Sequence, residues 1–151
     1  MKTLKSFLQS KGYVGIPLAL TATNHFEIEA KINGISGRFI VDTGASNTCL
    51  GIDKIDRFEL TTESTDVKAA GAGSSEMDAL ISTNNTIGIG GWEKRRHRIV
   101  LIDLFHVNLA LEKQNASPVD GIIGADILKK GKAIIDYNRK RLFLFRTGTL
   151  G

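Results

Sequence analysis

The sequence predicts a mainly β fold, a closed sheet accompanied by one or two short helices. Three observations carry this expectation. Residues Phe26 to Ile32 alternate strictly, with Phe26, Ile28, Ala30 and Ile32 on one face and Glu27, Glu29 and Lys31 on the other. Asn33-Gly34 then supplies a hairpin turn. Short apolar runs of strand length recur toward the C-terminus, with no linker, internal repeat or low-complexity segment dividing them.

The chain totals set the limits. A length of 151 residues is that of one ordinary domain, long enough to bury a core without covalent staples. Hydrophobic residues make up 42% and charged residues 24%, which selects a globular over a disordered chain. The 20 basic and 16 acidic residues leave a charge of +4, enough for solubility and too little to require a nucleic acid. One cysteine, Cys49, excludes an internal disulfide and reads as a small buried core residue. Met1 to Lys11 lacks the continuous apolar core of a signal peptide. No window approaches the run of about 18 apolar residues that marks a membrane helix. The expectation is a cytoplasmic protein with no membrane partner.

The elements follow in chain order. Met1, Leu4, Phe7 and Leu8 recur at helical spacing and Gly12 supplies a stop, so residues 1–12 form a helix or arm and 13–151 a single domain. Tyr13 to Leu20 is a strand that Pro17 confines to an edge. Phe26–Ile32 and a return strand carrying Arg38–Val41 make the hairpin around Asn33-Gly34. Residues 60–82 read as a second hairpin with small residues at its tip, Ala70-Gly71-Ala72-Gly73-Ser74-Ser75. Thr86–Gly90 and Arg98–Asp103 are further strands, and the basic run Glu93–Arg98 between them, beside Trp92, is expected as a solvated hairpin tip. Leu104–Gln114 forms a turn of helix, and Ile127–Lys130 a helix stopped by Gly131. Ala133–Tyr137 and Arg141–Phe145 close the chain as a hairpin around Asn138-Arg139, apolar enough to need covering.

The chemistry concentrates in Phe39-Ile40-Val41-Asp42-Thr43-Gly44-Ala45-Ser46. Three bulky apolar residues read as a buried strand, and Thr-Gly-Ala-Ser as a tight turn of small side chains. Asp42 is thus delivered from a rigid strand to a loop that a ligand can approach. An unpaired charge at a buried strand end is costly, which calls for a partner. About eighty residues later comes Val119-Asp120-Gly121-Ile122-Ile123-Gly124-Ala125-Asp126-Ile127-Leu128.

Together these segments resemble the Asp-Thr-Gly motif and the later apolar-apolar-Gly element of aspartic proteases. Their order and spacing fit one retropepsin-like unit, the single-lobed class of retroviral proteases and bacterial relatives, over about residues 13–146. The resemblance implies a closed barrel with one lobe per chain, and a catalytic Asp42. It implies that Thr43, Gly44, Ala45 and Ser46 support the active-site loop. Gly121, Ile122, Ile123 and Gly124 would thread behind that loop and lead into a short helix. It places a substrate-covering flap at Ala70, Gly71, Ala72 and Gly73. Thr43 would brace the opposite loop. Ala45 stands where pepsin-like enzymes often carry a donor to the carboxylate, which implies an activity optimum less acidic than pepsin's. Ser46 replaces the Asp of many retroviral enzymes, so their subsite preferences do not transfer.

Hydrolysis of this kind needs two carboxylates around one water, and only one Asp-Thr-Gly is present. Asp120 lacks the intervening hydroxyl residue, and Asp103 and Asp136 sit at strand ends without a following Gly. A homodimer supplies the second acid more simply, Asp42 from each copy across a two-fold axis. The expected function is therefore an aspartic endopeptidase acting on peptide or protein substrates. The alternative is the same fold as a catalytically weak or inactive binding or dimerisation module. No cofactor, metal or nucleic-acid partner is expected. Neither Gly71-Ala72-Gly73 nor Gly88-Ile89-Gly90-Gly91 completes a dinucleotide loop, and His25, His97 and His106 lack metal-ligand spacing, reading as surface or satisfied histidines.

Overall fold

The computed structural model describes residues 2–68 and 78–146. Eleven strands are present among them: β1 (Tyr13–Pro17), β2 (Ala19–Leu20), β3 (Phe26–Ile32), β4 (Ile35–Val41), β5 (Cys49–Gly51), β6 (Thr62–Lys68), β7 (Asp78–Ile89), β8 (Trp92–Ile102), β9 (Gly121–Ile123), β10 (Ile134–Asp136) and β11 (Arg141–Phe145). Three short helices accompany them, α1 (Leu4–Ser10), α2 (Phe105–Lys113) and α3 (Ala125–Lys130), one more than the sequence led us to expect. No helix among the described residues is long and apolar enough to cross a membrane.

The large sheet runs β2-β3-β4-β9-β5-β8-β7-β6, and β3 also pairs with β7 through Lys31–Gly88 and Ile32–Ile87. That last pairing closes six strands, β3-β4-β9-β5-β8-β7, into a barrel. The hairpin signals explain the closure. Asn33 and Gly34 both take positive φ, 53° and 83°, as a two-residue turn requires. The Asn33 side chain then donates to the Phe58 carbonyl and to Asn85 Oδ1, each at 3.0 Å, and accepts from the Thr86 amide. The alternating face of β3 packs inward with Phe39, Leu50, Phe58, Ile87 and Ile99 in the barrel core. A smaller sheet, β1-β11-β10, joins the two ends of the chain. β1 ends at Pro17 on its edge, as the proline demands. Leu8 anchors α1 while Leu4 and Phe7 remain exposed.

Two expectations are corrected. The basic run Glu93–Arg98 is not a hairpin tip: it lies inside β8, and the turn is at Gly90-Gly91, where Gly90 has φ 57°. Strand pairing continues through the charged residues because only alternate side chains must face the core. Trp92 points inward and Glu93 outward; a bulge at Arg96, φ 54°, then resets the alternation so that His97, Ile99 and Leu101 are buried. Likewise Leu104–Gln114 is not a single turn but the nine-residue α2. The arms of the 60–82 hairpin pair antiparallel as β6 and β7. Its tip, with Ala70, Gly71, Ala72 and Gly73, lies outside the described residues.

β9 is what positions the site. It enters between β4 and β5, parallel to the first (Phe39–Gly121, Ile40–Ile122, Val41–Ile123) and antiparallel to the second. The approach is so close that a Cβ on Gly121 would fall 2.2 Å from the Cys49 carbonyl oxygen, and one on Gly124 2.7 Å from that of Asn47. Asp120, at the entry to β9, accepts from the Arg38 amide at 2.9 Å and pairs with Arg57 at 2.7 Å. Past β9, the buried Thr48 hydroxyl accepts from the Gly124 amide at 3.0 Å and donates to Asp126 Oδ1 at 2.8 Å. His97 Nε2 meets Asp126 Oδ2 at 2.7 Å. The chain of bonds His97–Asp126–Thr48–Gly124 thus ties β8, α3, the loop after β4 and the end of β9 together.

Burial pushes the Asp126 carboxyl up, but hydrogen bonds from His97, from Thr48 and from the Ile127 amide outweigh it and hold the group below the ordinary carboxylate range. A group whose folded pKa is depressed adds stability that is present above its unfolded value, about 3.9, and is lost as pH falls through the lower folded value. Thermal melts of wild type and Asp126→Asn are therefore expected to differ most near neutral pH and to converge as pH drops below about 4; a gap independent of pH would remove the ionised carboxylate from the account. Gly121→Ala is expected to lose about 1–3 kcal/mol or more in denaturant unfolding. Gly88→Ala, whose Cβ would meet nothing closer than 3.9 Å, should lose much less.

Candidate active site

Asp42 follows directly on β4. Its amide donates to the Ile123 carbonyl at 3.0 Å, extending the β4–β9 pairing by one rung. The chain then turns back on itself: the Ala45 amide donates to the Asp42 carbonyl at 3.2 Å, and the Gly44 amide to Asp42 Oδ1 at 2.8 Å. From the far side the Ala125 amide donates to the Ala45 carbonyl at 2.7 Å. The carboxylate is therefore held at a fixed place by backbone groups, and in the single chain it is exposed rather than buried. The cost of a charge at a buried strand end is avoided because the turn carries Asp42 out to the mouth of a cavity.

That cavity has a volume of about 320 Å³. Ile40, Cys49, Val100, Ile102 and Ile122 give it an apolar wall, and α2 adds Val107, Ala110 and Leu111. Asp42, Gly44, Ser46, Asn47, Thr23 and His25 form its polar rim. His25 Nδ1 is occupied by the Thr23 hydroxyl at 2.7 Å. The Cys49 thiol donates to the Asn47 carbonyl at 3.2 Å. Its burial, with the Asp126 and Asp42 carboxylates adding to the effect, pushes its pKa up to about 12.

The other acids considered from the sequence sit elsewhere. Asp120 is nine-tenths buried and engaged by Arg57, Lys54 and the Arg38 amide. Asp103 accepts from the Phe105 amide at the start of α2, and Asp136 pairs with Arg139. Among the described residues, Asp42 contributes the only carboxylate that lines this cavity. Beside it a shallower depression of about 330 Å³ is lined by Thr43, Ala125, Leu128, Ala133 and Ile135, with Lys129 and Lys132 also contributing. Thr43 is exposed there.

Ile122 lines the cavity while Ile123 is fully buried in the barrel, the alternation expected of a strand. The sequence reading missed four residues of the surroundings. Thr48, His97 and Asp126 are brought together by the tertiary fold, His97 through the β7–β8 register with its bulge at Arg96 and Asp126 through the seating of β9 ahead of α3. His97 is a satisfied histidine, through a partner that spacing alone could not identify. Ala110 escapes the sequence because residues 104–114 read as one turn of helix. The signal that was available is the helical spacing of Val107, Ala110 and Leu111.

The aspartyl protease family profile matches residues 28–127, about two thirds of the chain, from within β3 into α3. A retropepsin-like aspartic protease from Rickettsia conorii superposes with a TM-score of 0.58 at 22% identity, covering 88% of each chain. The EIAV protease, in complex with an inhibitor, gives 0.52 at 21% identity, covering 73% of this chain and 90% of its own. No curated protein matches significantly by sequence. Identities this low speak to the fold, and the profile match speaks to the family. The chain belongs to the aspartyl protease family, and its fold is retropepsin-like.

Proposed function

We propose that this protein is an aspartic endopeptidase that completes its active site as a homodimer, with Asp42 of each copy flanking one water. The observation that carries the reading is a single exposed carboxylate, fixed by the Gly44 amide at 2.8 Å, at the mouth of an apolar cavity that holds no second acid among the described residues. The depression formed by Thr43, Ala125, Leu128 and Ile135 lies next to it and presents mostly apolar surface for a second copy. A two-fold axis there brings like loop to like loop.

Two carboxyls that close share one proton, since both cannot ionise together. The ionised one draws a proton from the water, whose oxygen forms a bond to the peptide carbonyl carbon. The protonated one donates to the carbonyl oxygen. The tetrahedral intermediate then breaks its C–N bond, the nitrogen takes a proton from the dyad, and a carboxylic acid and an amine leave. The Gly44 amide fixes the carboxylate throughout, so little reorganisation accompanies the reaction. Thr43 braces the partner's loop and holds the two acids in register.

Cleavage of a peptide library is expected for wild type, and Asp42→Asn should reduce it by at least about a hundred- to ten-thousand-fold. Equal cleavage by both would remove Asp42 from the mechanism. Retained folding with no cleavage by wild type would favour the alternative, a binding or dimerisation module. Sedimentation should show dimers, and Thr43→Ala should weaken them, raising the protein concentration at which specific activity is half-maximal. A strictly monomeric, fully active enzyme is incompatible with the proposal. With no side-chain donor at Ala45, activity should peak at a less acidic pH than pepsin's.

A further inference from the structure

Charge is unevenly spread along this chain. Residues 2–17 and 129–146 carry ten of its 20 basic residues and one of its 16 acidic ones, a charge of +9. The rest, ten basic against fifteen acidic, is left at −5. The two segments meet in the fold. β1 pairs with β11, the Arg146 amide donates to the Gly12 carbonyl at 2.8 Å, and the Tyr13 hydroxyl donates to the Lys132 carbonyl at 3.0 Å. α1 lies against β1, and Leu8 is its one buried residue. Its other residues face solvent, and none is acidic. Leu4 and Phe7, one turn apart, stay 40% and 43% exposed. The Lys2 and Lys11 ammonium groups stand 5.8 and 5.7 Å from the centre of the Phe7 ring, and that of Lys132 stands 4.9 Å from the Phe145 ring. The helix start is already fixed: the Thr3 amide donates to the Ser6 hydroxyl and the Ser6 amide to the Thr3 hydroxyl, each at 3.0 Å.

We propose that α1 docks the protein on the surface of an anionic lipid bilayer, with Leu4 and Phe7 entering the acyl boundary while Lys2, Lys5 and Lys11 stay among the headgroups. This departs from the expectation of no membrane partner, and it does not rest on proteolysis by Asp42. Both halves of the patch select the partner. Lysines alone suit any polyanion, but the aliphatic Leu4 finds nothing complementary on a phosphate backbone. Apolar side chains alone suit a second copy, but like faces would bring the α1 lysines and their basic surroundings against the same charges. A bilayer surface accepts both. Leu and Phe bury at the boundary between headgroups and acyl chains, and the lysine stems reach back to the charged headgroups. Two signals are needed, since either alone gives weak and reversible attachment. Each lysine near an anionic leaflet strengthens attachment about fivefold. α1 is already helical and capped, so docking requires no further ordering of its backbone.

The test is co-sedimentation of the full chain with vesicles of phosphatidylcholine alone, or of equal parts phosphatidylcholine and phosphatidylserine. Wild type is expected to bind the mixed vesicles at least about tenfold more tightly than the neutral ones, and less tightly as salt rises. Lys2→Gln/Lys5→Gln/Lys11→Gln should lower that affinity by at least about fiftyfold. Lys31→Gln/Arg98→Gln/Lys113→Gln removes as much charge from exposed positions elsewhere and should lower it by less than about fivefold. Leu4→Ser/Phe7→Ser should lower it by about tenfold. Phe7→Trp reads insertion directly, through emission that moves to shorter wavelength on the mixed vesicles; it serves alone if the double serine variant does not fold. Absence of binding to the mixed vesicles, equal losses from the two charge variants, or Trp emission that does not move each overturns the proposal. Tighter binding to a single-stranded RNA than to the mixed vesicles assigns the surface to nucleic acid and overturns the lipid. Self-association without vesicles that Leu4→Ser/Phe7→Ser abolishes assigns it to a second copy and does the same. Peptide cleavage enters none of these measurements, so failure here leaves the protease standing, and failure of cleavage leaves this surface standing.

Discussion

Everything at the site depends on three residues being squeezed between two others' backbones. β9 pairs with β4 on one side and β5 on the other, and the space allows no side chain at Gly121 or Gly124. Once seated, it donates nothing chemical itself. It supplies the Ile123 carbonyl that fixes the Asp42 amide, and it launches α3, whose first amide fixes the Ala45 carbonyl. The acid therefore inherits its position from a strand that lies about eighty residues further along the chain. Such a non-local pairing costs loop-closure entropy before it contributes any contact. The two glycines and the apolar Ile-Ile step between them are what make it favourable.

A second layer of polar contacts backs this arrangement. Thr48, Asp126 and His97 come from a loop, a helix and a strand, and Asp126 bonds to both of the others, one through each carboxylate oxygen. A buried network of this kind favours one geometry, since displacing a member leaves a polar atom without its partner in a site of low dielectric. Asp120 does the same on the opposite side of β9, where Arg57 and the Arg38 amide neutralise and saturate it. The loop bearing Asp42 is thus held by backbone hydrogen bonds from within and by side-chain networks from both flanks.

What was legible in the sequence was local. The β3–β4 hairpin could be read because strict alternation and Asn-Gly specify it within sixteen residues, Phe26 to Val41. The Asp42 turn was legible for the same reason, and so were the two glycines of the threading element, through resemblance. What escaped was decided by register. Glu93–Arg98 reads as a tip because five of its six residues are basic, yet the neighbouring Gly90-Gly91 makes the turn and β8 carries Glu93, Arg95, Arg96 and Arg98 exposed. His97 changed sides through a one-residue bulge, which no periodicity count anticipates. The length of α2 was underread because its buried stripe is short and its N-cap, Leu104, carries no side-chain hydrogen bond.

The cysteine in the cavity wall has a consequence for how this protein would be handled chemically. Only the sulfur anion attacks electrophiles, and with a pKa of about 12 the anion is on the order of one part in a hundred thousand at pH 7. Alkylating reagents and mild oxidants would therefore pass this residue by, although it lines the same hollow as Asp42. Resistance to iodoacetamide would be expected of a cleft whose single sulfur serves only as greasy filling.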